Sequence, residues 1–208
     1  MTILLTGLGR YGRQESNPTS QLAKILNSRK IGKHEIVEKE LRVSTRDVLK
    51  KLPVIIDSMR SILVLGLGLA PRRVHITPER VAVNGSVFSI PDAAGYRPID
   101  KPIDPHGPVA HFASIPIRKT VNVLSKQGIP ASVSNIAGTY IGNCTMYTSL
   151  NNIVKKGVKT KSGFIHVPYT PSQAAEKSEE SGEQVPSIGL DCMKSAILTA
   201  MRISLGPI

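Results

Sequence analysis

Three stretches of the sequence carry side chains that can do acid–base or nucleophilic chemistry. Glu79 follows Pro78 in PERVAVN, an apolar and strand-like context. His166 lies inside the apolar run GFIHVP, and a histidine in a buried strand needs a hydrogen-bond partner. Cys144 ends AGTYIGNC, which passes from the end of a strand into a helix. A carboxylate can orient an imidazole, an imidazole can move a proton, and a thiolate can attack a carbonyl.

Each of these residues, taken alone, also has an ordinary structural explanation. Glu79 would pair with a neighbouring arginine, and His166 would be a core histidine with its hydrogen bonds satisfied. Cys144 would be a small apolar residue on a helix. A functional interpretation therefore depends on the three stretches taken together.

Apolar runs that alternate with helical patterns predict the elements that position these residues. Continuous apolar runs favour buried strands at residues 3–5 and 61–67, and further strands are expected at 131–134 and 163–167. Helices are indicated after Pro18, after the capping-box residue Ser44, at 117–126 and in a last segment from Leu190 to Met201. This order predicts an α/β fold, a three-layer α/β/α sandwich with a mostly parallel central sheet, in a single domain of residues 1–208.

Two segments interrupt the alternation of strands and helices. Residues 86–108 are rich in Pro, Gly and Asp, and we expect an irregular arm there. Residues 172–184, SQAAEKSEESGEQ, are acidic and almost without large apolar groups. This composition indicates a mobile polar excursion before the last helix.

Composition excludes several classes of protein. The 208 residues are 40% hydrophobic and 20% charged, which is ordinary for a soluble domain with a core. No apolar run reaches the ~18 residues of a membrane span, and MTILLTG is too short for a signal peptide, so we expect a cytoplasmic protein without a membrane partner. The two cysteines form no CxxC pattern, and we expect neither a metal nor another cofactor.

The net charge of +12 would suit a nucleic-acid partner. However, the basic residues are dispersed along the chain and no nucleic-acid motif accompanies them. Only 4% of the residues are aromatic, so few rings are available to stack on bases. Nucleic-acid binding by a basic surface is therefore kept only as a distant alternative.

The stretches ERVAVN, SNIAGTY and GFIHVP, with NPT near the start, together resemble pyroglutamyl peptidase I, also called pyrrolidone-carboxylate peptidase. The resemblance covers nearly the whole chain and is strongest to archaeal members. It implies an α/β/α sandwich, often assembled as a tetramer. It also implies removal of an N-terminal pyroglutamyl residue from peptides by a Cys, His and Glu triad.

Residue by residue, the resemblance places Glu79 and His166 on the acid and the base of that triad. The family's cysteine lies in a pattern like Ala-Gly-x-Tyr-x-Cys-Asn, and here Gly142 stands between Ile141 and Asn143. Glycine keeps the backbone amides of a helix start but removes the sulfur that attacks the substrate. The resemblance thus implies a homologue that is inactive or strongly impaired.

Cys144 is the alternative nucleophile. Two residues along a helix turn a side chain through about 200°, so Cys144 points away from His166 if the helix begins at or before Gly142. An active cysteine peptidase that uses Cys144 therefore requires a helix that starts later or a rebuilt turn.

Other differences from the family lie around the same pocket. Where the resemblance implies two phenylalanines that hold the lactam ring, TGLGRYGR provides Leu8 and Tyr11, with Arg10 and Arg13 nearby. Ser89 stands where the family usually has an arginine.

A pocket for a pyroglutamyl peptide or a small polar ligand is still expected. It would involve the polar and backbone groups around Asn17, Val83, Asn84 and Tyr147. Either arginine of the GRYGR segment would admit an anionic ligand.

Overall fold

The centre of the molecule is a six-stranded sheet that is mostly parallel. The computed structural model describes residues 1–12 and 16–206. Within them the strands are β1 (Thr2–Leu8), β2 (Lys30–Ile31), β3 (His34–Leu41), β4 (Leu63–Leu69), β5 (Thr77–Pro78), β6 (Val81–Val83), β7 (Ala110–Phe112) and β8 (Lys161–Val167). The sheet has the order β2-β3-β1-β4-β8-β5, with β3, β1, β4 and β8 parallel and the two outer strands antiparallel. Strands β6 and β7 form a separate antiparallel pair.

Helices cover both faces of this sheet. They are α1 (Pro18–Leu26), α2 (Thr45–Met59), α3 (Ile117–Lys126), α4 (Ile141–Lys156), α5 (Pro171–Ser181) and α6 (Leu190–Leu205). Because successive strand residues point to opposite faces, Ile3 and Leu5 join a core under α1, α3 and α6, whereas Leu4 joins a second core under α2 and α4. The predicted α/β/α sandwich is confirmed. No helix within residues 1–12 and 16–206 combines the length and apolar character needed to cross a membrane.

Local sequence signals explain where several helices begin. The Asn17 side chain accepts a hydrogen bond from the Thr19 N–H at 3.0 Å, and Pro18 occupies the first position of α1. Ser44 caps α2 in the same way by accepting from the Asp47 N–H at 3.4 Å. No continuous strand forms at residues 131–134, where one was expected. Only Ala131 and Ser134 of this segment pair, as isolated bridges to Ile76 and Glu79.

Helix α5 occupies most of residues 172–184, for which the sequence indicated a mobile polar excursion. A capping box starts the helix, since Thr170 accepts from the Gln173 N–H at 3.3 Å and the Gln173 side chain accepts from the Thr170 N–H at 3.1 Å. Gln173 also donates to the carbonyl of Ser16 at 3.0 Å. The acidic composition therefore belongs to a surface helix that is tied to the loop before α1.

The arm at residues 86–108 contains no helix and, apart from the bridge between Ser86 and Lys101, no strand pairing. It is nevertheless anchored at several points. Phe88 and Ile103 are buried in the second core, and Asp92 accepts a hydrogen bond from the Thr45 N–H at 2.8 Å. The arm is thus part of the packed structure rather than a loose loop.

Asn143 fastens the start of α4 to the β6–β7 pair. Its side chain is fully buried, accepts from the Val83 N–H at 2.9 Å, and donates to the carbonyls of Val83 at 2.9 Å and Gly85 at 3.1 Å. These bonds fix the position of the first turn of α4. That turn carries Gly142.

We expect Asn143→Ala to lower the free energy of unfolding by about 1–3 kcal/mol, because it leaves partly buried backbone groups of Val83 and Gly85 without partners. Urea unfolding followed by circular dichroism measures the change. Asn152→Ala is the matched control on the same helix: its amide bonds only to Asp57 at the surface, and we expect a change within about 0.5 kcal/mol. Equal effects of the two substitutions would contradict the role given to Asn143.

Candidate active site

A cavity of about 1020 Å³ lies at the carboxyl ends of the parallel strands, the edge where α/β proteins usually bind their ligands. Leu8, Leu69 and His166 line it from β1, β4 and β8. The loop after β4, the arm, the start of α4 and the helix α5 complete the walls, through residues that include Ala70, Ser89, Ile90, Gly142, Lys177 and Glu180. The cavity thus joins apolar surface with several polar and charged groups.

Glu79 and His166 form a hydrogen-bonded pair beside this cavity. Glu79 directly follows β5, which pairs antiparallel with β8 and so brings the carboxylate next to His166. The His166 Nδ1 atom lies 2.7 Å from Glu79 Oε1. Because a carboxylate only accepts, Nδ1 carries the hydrogen and the neutral ring keeps its lone pair on Nε2. The pair can therefore take a proton from a group that lies next to Nε2.

Arg73 is a second partner of Glu79. Its guanidinium donates to Glu79 Oε1 and to the hydroxyl of Thr77, and its side chain is 29% exposed whereas that of Glu79 is fully buried. A buried carboxylate needs such charged or hydrogen-bonding partners to offset its lost hydration. Arg73 also lines the cavity, so a positive charge lies within reach of a bound ligand.

The imidazole of His166 lies in a slot between two glycines. A Cβ atom added at Gly68 of β4 would stand 2.9 Å from His166 Cδ2, and one added at Gly142 would stand 2.7 Å from His166 Nε2. Phe164 packs on the ring edge to face, with ring centroids 4.9 Å apart. Any side chain at position 142 would thus begin directly against Nε2.

Gly142 is the second residue of α4, whose first-turn N–H groups have no acceptor within the helix. Tyr140, the N-cap residue, makes no side-chain capping hydrogen bond. Ile141 and Gly142 line the cavity, so this end of the helix faces the same space as His166. Such amides can stabilise negative charge that develops on an oxygen atom.

Comparison with known proteins gives a consistent assignment. The family model described as pyroglutamyl peptidase matches residues 1–205. The pyrrolidone-carboxylate peptidase of Thermococcus litoralis is 38% identical over 203 residues, which cover 98% of this chain and 92% of the relative. The chain belongs to the pyroglutamyl peptidase family.

Other members of the pyroglutamyl peptidase family agree in sequence and in structure. Pyrrolidone-carboxylate peptidase 1 of Caldanaerobacter subterraneus is 40% identical over 203 residues, or 98% of this chain and 97% of the relative. The structure of the T. litoralis pyrrolidone carboxyl peptidase matches with a TM-score of 0.93 at 38% identity, over 98% of this chain and 93% of the other. A mutant pyrrolidone carboxyl peptidase from Pyrococcus furiosus gives 0.95 at 37% identity, over 99% and 98%.

The predicted ligand residues of this family member divide into two groups. Leu8, Tyr11 and Asn17 line the cavity, and so does Ser89. Tyr11 and Tyr140 both donate a hydrogen bond to the carbonyl of Pro91, and the bond from Tyr140 is 3.0 Å long. Burial raises the pKa of the Tyr140 phenol, so this hydroxyl keeps its proton. Both tyrosines therefore hold the arm against the cavity wall.

Val83, Asn84 and Tyr147 were expected in the pocket, but they do not line the cavity. The backbone of Val83 bonds to Asn143, and the Asn84 side chain binds the arm through Ile103, Asp104 and Gly107. Tyr147 is fully buried, and its hydroxyl donates to the carbonyl of Pro108 at 2.7 Å. All three hold the arm and the β6–β7 pair on α4, so their polar groups are already used.

Cys144 does not reach the pair formed by Glu79 and His166. Because α4 begins at Ile141, two residues of helix turn Cys144 away from Gly142 and into the core under α2 and α4. The side chain is fully buried, and burial raises the pKa of its thiol to about 12. A thiol that stays protonated inside a core is a poor nucleophile.

Sequence reasoning did not identify Arg73 or the slot at Gly68. The ordinary structural explanation for Glu79 was a pairing with a neighbouring arginine, but the sequence offers Arg72, Arg73 and Arg80 and does not distinguish among them. Of the arginines considered for an anionic ligand, Arg10 is exposed and does not line the cavity, and Arg13 lies outside the described residues. Among residues 1–12 and 16–206, no cluster of three or more His, Cys, Asp or Glu side chains could hold a metal ion.

We expect Arg73→Ala to lower the free energy of unfolding by about 1–3 kcal/mol, because Glu79 loses a charged donor while it remains buried. The midpoint of urea unfolding at neutral pH measures this loss. Arg72→Ala is the control, since Arg72 is an exposed neighbour outside the cavity lining. If both substitutions left the midpoint unchanged, the ion pair would not contribute to stability.

Cys144 should resist alkylation in the folded protein. Burial raises the pKa of the Cys144 thiol and keeps it protonated at pH 8, and the side chain is fully buried. We expect iodoacetamide to label the partly exposed Cys192 and to leave Cys144 unlabelled, as measured by mass spectrometry of peptides. In urea both thiols should react. Rapid labelling of Cys144 without denaturant would contradict its place in the core.

Proposed function

We propose that this member of the pyroglutamyl peptidase family binds the pyroglutamyl end of peptides but lacks efficient peptidase activity, because Gly142 occupies the position of the family's cysteine nucleophile. The observation that carries the proposal is the direction of the missing side chain. A Cβ at residue 142 would point at His166 Nε2 from 2.7 Å, at the start of a helix and beside the cavity. A thiol there would lie directly against its base.

The loss of the nucleophile should have a large effect. In serine proteases, removal of the nucleophile alone lowers turnover by about six orders of magnitude. Cys144 offers no replacement, since its thiol is buried in the core and stays protonated. The pair of Glu79 and His166 would then remain without the group that it served.

Recognition of the ligand does not depend on the missing sulfur. Leu8, Tyr11, Ile90 and Ile141 give the cavity apolar surface that suits a lactam ring. Two ion-paired cations, Arg73 with Glu79 and Lys177 with Glu180, add charged groups to its walls. A peptide with an N-terminal pyroglutamyl residue, or a small polar ligand such as pyroglutamate, is therefore the proposed occupant. The cytoplasmic location and the tetrameric assembly stay predictions.

The test restores the sulfur. We expect Gly142→Cys to raise kcat/KM for a fluorogenic pyroglutamyl amide by about 10²–10³-fold over the parent protein. The gain should fall short of the full six orders, because the new Cβ would stand 2.7 Å from His166 Nε2, so the ring or the helix must shift to admit it. Gly142→Ala is the matched control, since it brings the same crowding without a thiol.

Two results would contradict the proposed function. One is a parent protein that already cleaves the amide efficiently and loses this activity in Cys144→Ser. The other is an absence of binding, seen as no heat when pyroglutamate is titrated into the parent protein at millimolar concentration. Calorimetry with Gly142→Cys in parallel shows whether the substitution alters binding or only the chemistry.

A further inference from the structure

We propose that the Glu79–His166 pair activates a water molecule in place of the missing nucleophile, so that the protein directly hydrolyses pyroglutamyl esters with good leaving groups. This inference rests on the proposed function, because it requires the pyroglutamyl group to bind in the cavity. The proposed activity differs in mechanism from attack by a cysteine, which would form a covalent intermediate with the substrate. The protein would act through general-base catalysis and would form no acyl-enzyme.

The first support is the orientation of the base. Nδ1 of His166 donates to Glu79 at 2.7 Å, which leaves the lone pair on Nε2. The ring is held from three sides, by Gly68, by Gly142 and by the edge-to-face contact with Phe164 at 4.9 Å. Preorganisation of this kind means that the base does not have to be repositioned when the substrate arrives.

The second support is the space next to the base. His166 and Gly142 both line the cavity of about 1020 Å³, so the base borders a space that is large enough for a ligand together with a water molecule of about 30 Å³. A cysteine at position 142 would place its sulfur in this region and would take the proton-accepting lone pair of Nε2. Glycine leaves Nε2 available to a water molecule that enters with the ligand.

The third support is a set of donors for the developing oxyanion. The N–H groups at the start of α4 have no acceptor within the helix, and the side chain of Tyr140 does not cap them. Ile141 and Gly142, which carry two of these groups, line the cavity together with His166. The base and the oxyanion donors therefore lie on the same wall, as attack on one carbonyl requires.

The reaction balances with water as the only co-reactant. His166 Nε2 takes one proton from water while the water oxygen bonds to the carbonyl carbon, and the carbonyl π electrons move to its oxygen. The tetrahedral oxyanion then re-forms the C=O bond and expels the alkoxide or aryloxide. The leaving group takes the proton from His166 or departs as the anion, with the proton lost to solvent. The products are pyroglutamate and the alcohol.

Esters are the expected substrates because an amide has a much poorer leaving group. Water is also a weaker nucleophile than a thiolate, so the reaction should be slow in absolute terms. General-base catalysis typically contributes about 10²–10⁴-fold to a rate. This range sets the size of the effect that removal of the base should have.

The experiment follows hydrolysis of the p-nitrophenyl ester of pyroglutamate by the purified parent protein. We expect His166→Gln to lower kcat/KM by about 10²–10³-fold and Glu79→Gln to lower it by at least tenfold. His75→Gln is the control, since His75 is exposed and does not line the cavity. Gly142→Ala should also slow the ester reaction by at least tenfold, because its Cβ crowds Nε2.

Other outcomes would overturn the inference. Equal ester hydrolysis by the parent and His166→Gln would remove the base from the reaction. A burst of nitrophenol with a covalent acyl adduct in the mass spectrum would show a protein nucleophile instead of water. Loss of turnover in Cys144→Ser would identify that nucleophile as the thiol.

Calorimetry with pyroglutamate separates failure of this inference from failure of the proposed function. If pyroglutamate binds to the parent and to His166→Gln but the ester is hydrolysed equally by both, only the water mechanism fails. If pyroglutamate does not bind to the parent, the proposed function fails as well.

Discussion

The burial of a single carboxylate governs the arrangement of the site. Glu79 is fully buried, and a carboxylate in such a place destabilises the fold unless hydrogen-bond donors surround it. Its Oε1 atom accepts from both Arg73 and His166, while Oε2 has no hydrogen-bond partner among the described residues. The antiparallel pairing of β5 with β8 supplies one donor, and the loop after β4 supplies the other. Residues at this edge of the sheet therefore provide the hydrogen-bond donors that the buried carboxylate needs.

The other wall of the site depends on how α4 is held. Asn143 connects the first turn of α4 to Val83 and Gly85, and the neighbouring Gly142 then lies against the imidazole. The slot around His166 needs small residues on both sides, which Gly68 and Gly142 provide. A glycine at 142 therefore permits close packing of the imidazole against the start of the helix.

The sequence predicted most of the central architecture because the buried strands β1, β4 and β8 are continuous apolar runs. It did not reveal β3, since HEIVEKEL is largely charged and only Ile36 and Leu41 are buried. At the site, Glu79 and His166 were recognisable from their motifs. The internal hydrogen bonds of Asn84 and Tyr147 were not, because partners so distant in sequence are fixed by tertiary packing alone.

The two consecutive residues Pro91 and Asp92 constrain how the arm can vary. The carbonyl of Pro91 accepts from Tyr11 and Tyr140, and the carboxylate of Asp92 accepts from the Thr45 N–H and from two amides of the arm itself. One short stretch therefore joins the loop after β1, the start of α4 and the start of α2. Insertions or deletions in homologous chains should accumulate elsewhere in residues 86–108, since a shift of even one residue here would detach three elements at once.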